Sequence, residues 1–362
     1  MRNNTKNISV VIPLFNKARH IRRALNSVLA QTYENFDVIV VNDGSTDGSE
    51  KVVEQYTEKR IRLVNQEHAG VSAARNRGIQ EAEPELIAFL DADDEWMPEF
   101  LETVIALNDK YPQAAIWATG FNTISANGDV MSSPKNFSSI TSTDDKHLIN
   151  IFKSLPYYKY FWTSSILASK KAIQSVGGFP EYYQISQDTY LWNRLAFNYP
   201  VSYCPAFKAI YHMDADNHAF ANHDVIYIGV DPIITAFLDY KSSGSNYTPI
   251  TNDIYKHVVK YILRSLVHNA VCKDKIAIFD TIQICIRIKD LRVLTPICLF
   301  AYVFSMLPKI LILIIYNGYR LLSFKKPRYP KFKSHYTESA QGYSIFQLSR
   351  HSRDNNAYYS NK

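Results

Sequence analysis

The sequence predicts an α/β protein built on a doubly wound, mostly parallel sheet, with a helical appendage at the C-terminal end. Three observations predict this class. Short β-branched runs alternate with segments of helical periodicity over the first 110 residues. The composition, 46% hydrophobic and 20% charged over 362 residues, is that of a globular protein. Polar and acidic segments come after the apolar runs, where the strands of a parallel sheet end and where such sheets bind ligands.

The elements of this half follow from the spacing of the apolar residues. Strand patterns cover Ile8–Leu14, Phe36–Val41, Ile61–Val64 and Leu86–Leu90. Helical patterns cover His20–Ala30, Glu50–Glu58, Val71–Ala82 and Glu99–Lys110. Strands joined by helices of this length predict a parallel sheet with right-handed crossovers. A β-prone run then leads to Asn127-Gly128, a hairpin turn signal, and the domain is expected to extend over residues 1–220.

The turn after the first strand excludes two common classes of nucleotide-binding protein. A dinucleotide-binding domain needs G-x-G-x-x-G there, but the turn is Pro13-Leu14-Phe15-Asn16-Lys17, and a P-loop is also missing. The four cysteines show no C-x-x-C spacing, so a zinc site or a disulfide framework is not expected. The polar N-terminal residues lead directly into a strand, so no signal peptide is expected.

The segment Phe89-Leu90-Asp91-Ala92-Asp93-Asp94-Glu95-Trp96 places three aspartates within four residues at the end of a buried strand. Carboxylates this close repel one another unless a cation lies among them. A hard divalent cation that also holds a diphosphate suits such oxygen ligands. The alternative is a solvated acidic loop before the helix that Pro98 opens, because acidic residues favour helix N-termini.

Other strand ends supply side chains suited to a nucleotide. Phe15 comes after the first strand and could pack against a base. Asp43 ends the second strand and could accept a hydrogen bond from the imide N–H of uracil. Arg75, on the third helix, suits a diphosphate because its planar guanidinium is always charged. Each residue also has a structural alternative, respectively a core residue, a turn residue that caps a helix and a solvated helix face.

Five blocks of this region resemble family 2 glycosyltransferases of the GT-A fold. They are Ser9-Val10-Val11-Ile12-Pro13-Leu14-Phe15-Asn16-Lys17, Gln31-Thr32-Tyr33, Val40-Val41-Asn42-Asp43-Gly44-Ser45-Thr46-Asp47, Gly70-Val71-Ser72-Ala73-Ala74-Arg75-Asn76-Arg77-Gly78 and the acidic segment at residues 89–96. The resemblance implies a nucleotide-sugar donor, usually a UDP-sugar, and a Mn²⁺ or Mg²⁺ ion at a D-x-D signature.

Site residues carry over by position within these blocks. Pro13, Phe15, Asn16 and Asp43 fall at the base and ribose pocket and Arg75 near the diphosphate; Asp91, Ala92 and Asp93 form the signature. Asp93 is the expected direct metal ligand, Asp91 is expected to face the ribose or sugar, and Asp94 to support the loop. Phe15 stands where the family often has Tyr, and His68 where it often has Asn.

A second block, Gly177-Gly178-Phe179-Pro180-Glu181 and then Gln187-Asp188-Thr189-Tyr190-Leu191-Trp192-Asn193-Arg194-Leu195, resembles the family segment that carries the general base. Asp188 takes the position of the base, and its alternative is a helix-capping role. Gln187 replaces the usual glutamate and removes a charge beside it. Attack opposite the leaving group implies inversion, and the absence of Q-x-x-R-W implies that one sugar is added per encounter. His212 matches a place near the phosphates or metal and is a candidate metal ligand.

The last third of the chain is helical in pattern, over Tyr227–Tyr240, Asp253–Asn269 and Lys275–Ile288. The apolar segment 293–315 is long enough to span a bilayer, but Pro308-Lys309 divides it. Basic residues outnumber acidic ones by ten to two from Pro308 onward. Two apolar helices lying on an anionic membrane surface are therefore expected within a region 221–333. A packed soluble appendage and a true span are the alternatives, and the polar tail 334–362 is expected to be disordered.

These expectations combine into one function. The chain is expected to move one sugar, hexosyl or N-acetylhexosaminyl, from a nucleotide-sugar to a hydroxyl of a glycan or glycolipid acceptor during cell-surface polysaccharide synthesis. It is expected in the cytoplasm, peripheral on the inner face of the cell membrane, with no nucleic-acid partner. A nucleotidyltransferase is one alternative, although it would need a glycine-rich basic loop after the first strand. A sugar-nucleotide-binding protein without catalysis is the other.

Overall fold

The computed structural model describes residues 6–132, 148–149, 152, 162–183, 185–213, 232–242, 252–272 and 275–287, together with positions 295, 297 and 299. The chain divides into two compact units. The first comprises residues 1–222 and 239–257, and the second comprises 223–238 and 258–362. Every candidate site residue lies in the first unit.

Over residues 8–89, strands and helices alternate as the apolar periodicity predicts. The strands are β1 (Ile8–Leu14), β2 (Phe36–Asp43), β3 (Ile61–Gln66), β4 (Leu86–Phe89), β5 (Glu95–Trp96), β6 (Ile116–Ile124), β7 (Val130–Ser132), β8 (Leu148–Ile149), β9 (Ile166–Ser169) and β10 (Val201–His212). The helices are α1 (Ile21–Leu29), α2 (Ser49–Glu54), α3 (Val71–Glu81), α4 (Phe100–Lys110), α5 (Lys170–Ser175), α6 (Gln187–Asn198), α7 (Pro232–Ser242), α8 (Asn252–Cys272) and α9 (Lys275–Arg287).

The described strands form one sheet in the order β3-β2-β1-β4-β9-β6-β10-β5, with β7 paired to β6 and β8 paired to β10. The half from β3 to β4 is wholly parallel. Strand β9 then enters antiparallel to both β4 and β6, whereas β6 and β10 run parallel. The carboxyl ends of β1, β2 and β4 therefore meet at one edge, which is where parallel sheets of this kind bind ligands.

Helices cover both faces of the parallel half, so the expected doubly wound α/β arrangement is confirmed. Alternate side chains of the central strands, such as Val10 and Ile12, enter a core with residues of α1 and α4. Residues between them face the other way and meet α3. There Gly78 lies so close to Val11 that an added Cβ would stand 2.3 Å from the Val11 Cγ1. The close approach of α3 to β1 depends on this glycine.

Several short elements were not expected from the sequence. Strands β5 and β9 have two and four residues, and α2 ends at Glu54 rather than at Glu58. The expected hairpin is present, since Ile124 pairs with Val130 across the Asn127-Gly128 turn. Helices α8 and α9 agree with the expected C-terminal helices to within three residues at each end. The start of the expected helix Tyr227–Tyr240 lies outside the described residues, and its later part falls within α7. Apart from its three isolated positions, the apolar segment 293–315 lies outside the described residues, as do the basic flank and the polar tail. Within the described part, no helix combines the length and apolar character needed to cross a membrane.

Candidate active site

The residues just after β1 form an exposed aromatic surface at the carboxyl edge of the sheet. The Phe15 side chain is 40% exposed, and its ring stacks on the His68 imidazole with centroids 4.1 Å apart and planes 20° from parallel. The next residue, Asn16, has a φ of 51°, and its side-chain oxygen accepts from the Thr46 N–H at 2.8 Å. The chain thus presents a flat apolar surface beside a fixed turn. Such a surface suits a planar base.

Asp43, at the end of β2, is buried and organises the segment that leads into α3. Its carboxylate accepts hydrogen bonds from Gln66 Nε2 at 2.7 Å and from the N–H groups of Ala69 and Gly70, both at 2.9 Å. The His68 Nδ1 lies 2.9 Å from its second oxygen. Three hydrogen bonds thus hold this carboxylate, and the His68 ring also makes a hydrogen bond to the Asp43 backbone carbonyl through Nδ1, at 3.1 Å. Contact with a uracil imide stays a prediction.

Arg75 on α3 is 4% exposed and faces the end of β4. Its Nη2 donates to Asp91 Oδ1 at 2.6 Å, and its guanidinium carbon lies 5.2 Å from the centre of the Phe179 ring. Its Nε and Nη1 are buried and have no hydrogen-bond partner. Unpaired buried donors are costly, and a charged fork of this kind matches a phosphate group. The guanidinium therefore bonds the protein through one nitrogen, and its other two nitrogens suit an anion.

The acidic loop after β4 crowds three carboxylates together. Asp93 Oδ2 pairs with Lys17 Nζ at 2.7 Å, and both side chains are largely buried. Burial raises the pKa of Asp91 above its ordinary value; Arg75 opposes this, while the charges of Asp93 and Asp188 reinforce it. Burial raises the pKa of Asp94 much further, with added repulsion from its two acidic neighbours. The carboxylates of this loop are therefore largely buried and close to one another, and the loop is not a solvated acidic segment.

Asp188 lies in the first turn of α6 and faces this loop. Its Oδ1 accepts from the Thr189 N–H at 2.7 Å, and its Oδ2 accepts from Thr163 Oγ1 at 3.3 Å. The Tyr211 hydroxyl lies within the influence of both Asp188 and the acidic loop. Burial raises the pKa of Tyr211, and the charges of Asp94, Asp93, Asp91 and Asp188 all raise it further. The expected base and the expected donor carboxylates are therefore brought together.

His212 ends β10 beside the acidic loop. Its backbone N–H donates to Asp94 Oδ1 at 3.2 Å, and its Nε2 lies 3.0 Å from Glu95 Oε2. The imidazole thus already has a carboxylate partner. Among the described residues, no group of three or more His, Cys, Asp and Glu side chains is arranged to hold a metal ion. Ligation by His212 stays a prediction.

Two expected donor-binding residues contribute to the frame of the site. Pro13 is buried within β1 and pairs with Val41 of β2. Ala92 is 3% exposed, and its side chain belongs to the hydrophobic core. These positions support the strand end and the acidic loop respectively.

The sequence reasoning missed a short 3₁₀ turn, Thr163–Ser165, that precedes β9. The Ser164 hydroxyl donates to Asp94 Oδ2 at 2.5 Å and accepts from the Asp91 N–H at 3.1 Å. The Thr163 hydroxyl contacts Asp188 and accepts from Trp192 Nε1 at 3.3 Å. Three consecutive hydroxyl residues directly before an apolar strand were the available signal.

The fold and site together define an α/β domain that places an acidic loop, the Arg75 guanidinium and the Asp188 carboxylate near one edge of its sheet. Residues 9–177 match the family model described as glycosyl transferase family 2, and this part of the chain belongs to that family.

Similar proteins agree with this assignment. The chain is 42% identical over 109 residues to the uncharacterized glycosyltransferase YibD of Escherichia coli, a match covering 30% of this chain and 32% of that protein. It is 30% identical over 223 residues to an uncharacterized glycosyltransferase of Rickettsia felis, covering 60% of this chain and 36% of that protein. The matched part thus spans about a third of the length of these curated relatives.

Solved structures share the fold. TarS 1-349 of S. aureus in complex with UDP aligns with a TM-score of 0.63 at 17% identity, covering 88% of this chain and 93% of that one. The same protein in complex with UDP-GlcNAc aligns with a TM-score of 0.66, with the same identity and coverage. The described domain therefore has the GT-A fold expected from its sequence blocks.

Proposed function

We propose that this protein is an inverting glycosyltransferase that moves one sugar from a UDP-sugar to a hydroxyl of a glycan acceptor. The observation that carries the proposal is the guanidinium of Arg75, which is only partly hydrogen-bonded within the protein. It holds Asp91 through one nitrogen and keeps two buried nitrogens without partners, in the same space as Asp188. A diphosphate is a ligand that satisfies such a group.

The base of the donor is proposed to lie on Phe15 and His68. The exposed stacked pair offers apolar area, and the turn at Asn16 fixes its position. The choice of uridine rests on family membership and on the UDP and UDP-GlcNAc complexes of TarS. Hexosyl or N-acetylhexosaminyl transfer is the proposed specificity.

A Mn²⁺ or Mg²⁺ ion is the proposed cofactor, with Asp93 and Asp91 as its protein ligands and His212 as a further candidate. The residues fit this group, since Mg²⁺ in nucleotide sites takes one or two carboxylates and completes its shell with phosphate and water. Burial raises the pKa of Asp91, and the charges of Asp93 and Asp188 raise it further, so a cation is favourable at this place. When bound, the ion supplies positive charge to the leaving diphosphate.

Asp188 is the proposed general base. Its carboxylate accepts the proton of the acceptor hydroxyl as that oxygen attacks the anomeric carbon, from the face opposite the diphosphate. Arg75 offers fixed positive charge to the departing diphosphate, so its stabilisation grows as negative charge develops there. Inversion follows from attack on the opposite face. One sugar per encounter follows from the absence of a Q-x-x-R-W sequence.

The acceptor is proposed to be a lipid-linked glycan of a cell-surface polysaccharide, met at the inner face of the cell membrane. The support is the basic composition after Pro308, which suits anionic headgroups. This proposal concerns residues beyond the described ones. Loss of membrane sedimentation after truncation at Arg292 is the expected result, and unchanged sedimentation would contradict it.

The test of the reaction is transfer from a panel of UDP-sugars to membrane-extracted acceptors, read by mass spectrometry with Mn²⁺ or with EDTA. Wild type is expected to transfer one sugar with Mn²⁺, and Asp188→Asn is expected to lose at least about 100-fold in rate. Asp109→Asn, at an exposed side chain, is the matched control and should transfer normally. Binding of UDP without turnover on any donor would favour a binding protein, and formation of a UDP-sugar from UTP would favour a nucleotidyltransferase.

A further inference from the structure

We propose that Thr163 and Ser164 are positioning residues that hold the base helix and the donor loop in one geometry. The proposal rests on the function given above, since Asp188 is taken as the base and Asp91 as a donor-binding carboxylate. Both hydroxyl residues are 1% exposed, so their hydrogen bonds are exchanged with protein groups rather than with solvent.

The turn is closed by its own atoms, which leaves these two side chains available for other partners. The Trp162 N–H donates to Ser165 Oγ at 2.8 Å, and the Ser165 N–H donates to the Trp162 carbonyl at 2.8 Å. Trp96 Nε1 donates to the Ser164 carbonyl at 2.5 Å and fixes the turn from the side of β5. The turn is thus held by contacts that do not involve the hydroxyls of Thr163 and Ser164.

The Thr163 hydroxyl connects to α6 at two points. Trp192 Nε1 is a donor only, so Thr163 Oγ1 must accept from it, at 3.3 Å. The single hydroxyl proton is then free for Asp188 Oδ2, also at 3.3 Å. Asp188 and Trp192 are four residues apart and share one face of the helix. Thr163 therefore sets both the place of α6 and the orientation of the carboxylate on it.

The Ser164 hydroxyl repeats this arrangement on the acidic loop. The Asp91 N–H is a donor only, so Ser164 Oγ accepts from it at 3.1 Å. The Ser164 proton is thereby directed to Asp94 Oδ2 at 2.5 Å. Consecutive residues thus each accept from a fixed N–H and donate to a carboxylate. One faces the base and the other faces the donor loop.

With this geometry, the turn affects the reaction itself by fixing the distance between the base and the donor. In-line attack requires the acceptor oxygen, held by Asp188, to lie on the far side of the anomeric carbon from the diphosphate, held near Asp91. The chain links the carboxylate of Asp188 to the backbone of Asp91 through two adjacent hydroxyls. A shift of the turn changes the distance between the base and the donor, and the rate of transfer depends steeply on that distance.

The test separates the two hydroxyls by kinetics. Thr163→Val keeps the shape of the side chain and removes the hydroxyl, whereas Thr163→Ser keeps the hydroxyl. Thr163→Val is expected to lower kcat for transfer from UDP-GlcNAc or the other UDP-sugars by about 10- to 100-fold, because a hydrogen bond to a charged group is lost. Its Kd for UDP and its donor KM should stay within about twofold of wild type, and Thr163→Ser should recover most of the rate.

Ser164→Ala is expected to show the opposite pattern. It frees the Asp91 backbone and removes a partner of Asp94, so the Kd for UDP should rise by about 10-fold, while kcat at saturating donor changes less. If this variant fails to fold, the Thr163 pair still decides the matter, because Thr163→Ser retains every hydrogen bond of the wild type.

The outcomes distinguish the two proposals. Equal rates for wild type and Thr163→Val, or an equal loss in Thr163→Val and Thr163→Ser, would overturn the positioning role and leave the proposed function intact. A parallel rise in the Kd for UDP with the Thr163→Val substitution would also overturn it, because that result indicates general damage to the site. A wild type without turnover on any donor would count against both proposals.

Discussion

Replacing Arg75 by methionine is the perturbation that tests the nucleotide site most directly. Methionine fills a similar volume and removes the charge and all five N–H donors. In the structure, one guanidinium nitrogen bonds Asp91 and the other two are buried without partners. The substitution thus removes the two nitrogens that have no partner in the protein, together with the one that bonds Asp91.

The expected loss follows from those two nitrogens. A hydrogen bond to a charged group contributes about 1.5–3 kcal/mol, so two of them, partly offset by the desolvation of the phosphate, are worth about 3 kcal/mol. That free energy corresponds to a rise of roughly 150-fold in the Kd for UDP. The carboxylate of Asp91, left without its partner, repels the diphosphate and acts in the same direction.

Isothermal titration calorimetry with UDP and with uridine separates the phosphate contribution from that of the base. The Kd for UDP should rise by about 150-fold in Arg75→Met, while the Kd for uridine, which carries no phosphate, should stay within about twofold. Arg62→Met, at a side chain 47% exposed and paired with Glu81, is the matched control and should change neither value. An equal loss for uridine and UDP, or an unchanged Kd for UDP, would refute the assignment of Arg75 to the diphosphate.

Three further substitutions test other parts of the site and its frame. Phe15→Ala should weaken UDP and uridine alike by about 10-fold in calorimetry, because stacking on a base contributes about 1–3 kcal/mol and does not involve the phosphates; a loss confined to UDP would contradict it. Lys17→Met should raise the affinity for Mn²⁺ without nucleotide by about 10-fold in electron paramagnetic resonance titrations, since the ammonium 2.7 Å from Asp93 then no longer competes, and an unchanged affinity would count against Asp93 as a ligand. Gly78→Ala should lower the free energy of unfolding by about 1–3 kcal/mol in urea titrations, despite the better helix propensity of alanine, because its Cβ would clash with Val11. In a Val11→Ala background the same substitution should cost less, since the clashing methyl groups are gone. An unchanged free energy of unfolding in Gly78→Ala would refute the close contact.

The parallel half of the fold could be predicted from the sequence because its signal is local. Each strand from β1 to β4 is a β-branched run with a helix after it, so periodicity alone gives the elements and the crossover rule gives their direction. Strand β9 has only four residues, Ile166–Ser169, and its partners β4 and β6 are more than forty residues away. Nothing within such a short segment specifies an antiparallel insertion, since that depends on the space between two strands already in place.

The sequence names candidate site residues only where residue type or block position implies the chemistry. Arg75 is a candidate because its charged guanidinium suits a diphosphate, and Asp188 because it takes the position of the base in a matching block; both roles stay predictions. Asp43 was expected to meet a base, yet its oxygens are engaged by residues 66–70, a contact pattern that depends on how the loop closes. Thr163 and Ser164 gave no comparable signal, because hydroxyls before a strand are common and acquire their role only from partners distant in sequence.

The balance of charge in the site explains why nucleotide and cation are expected to bind together. The acidic loop and the base bring Asp91, Asp93, Asp94 and Asp188 into one electrostatic neighbourhood. Lys17 and Arg75 each neutralise one of them through a direct ion pair. A diphosphate alone would add negative charge to a site that already raises the pKa of Asp91 and Asp94. A divalent cation alone would have to displace Lys17 from Asp93. Entering together, the cation and the diphosphate cancel most of each other's charge, so each lowers the free-energy cost of binding the other, and by linkage the two effects must be equal.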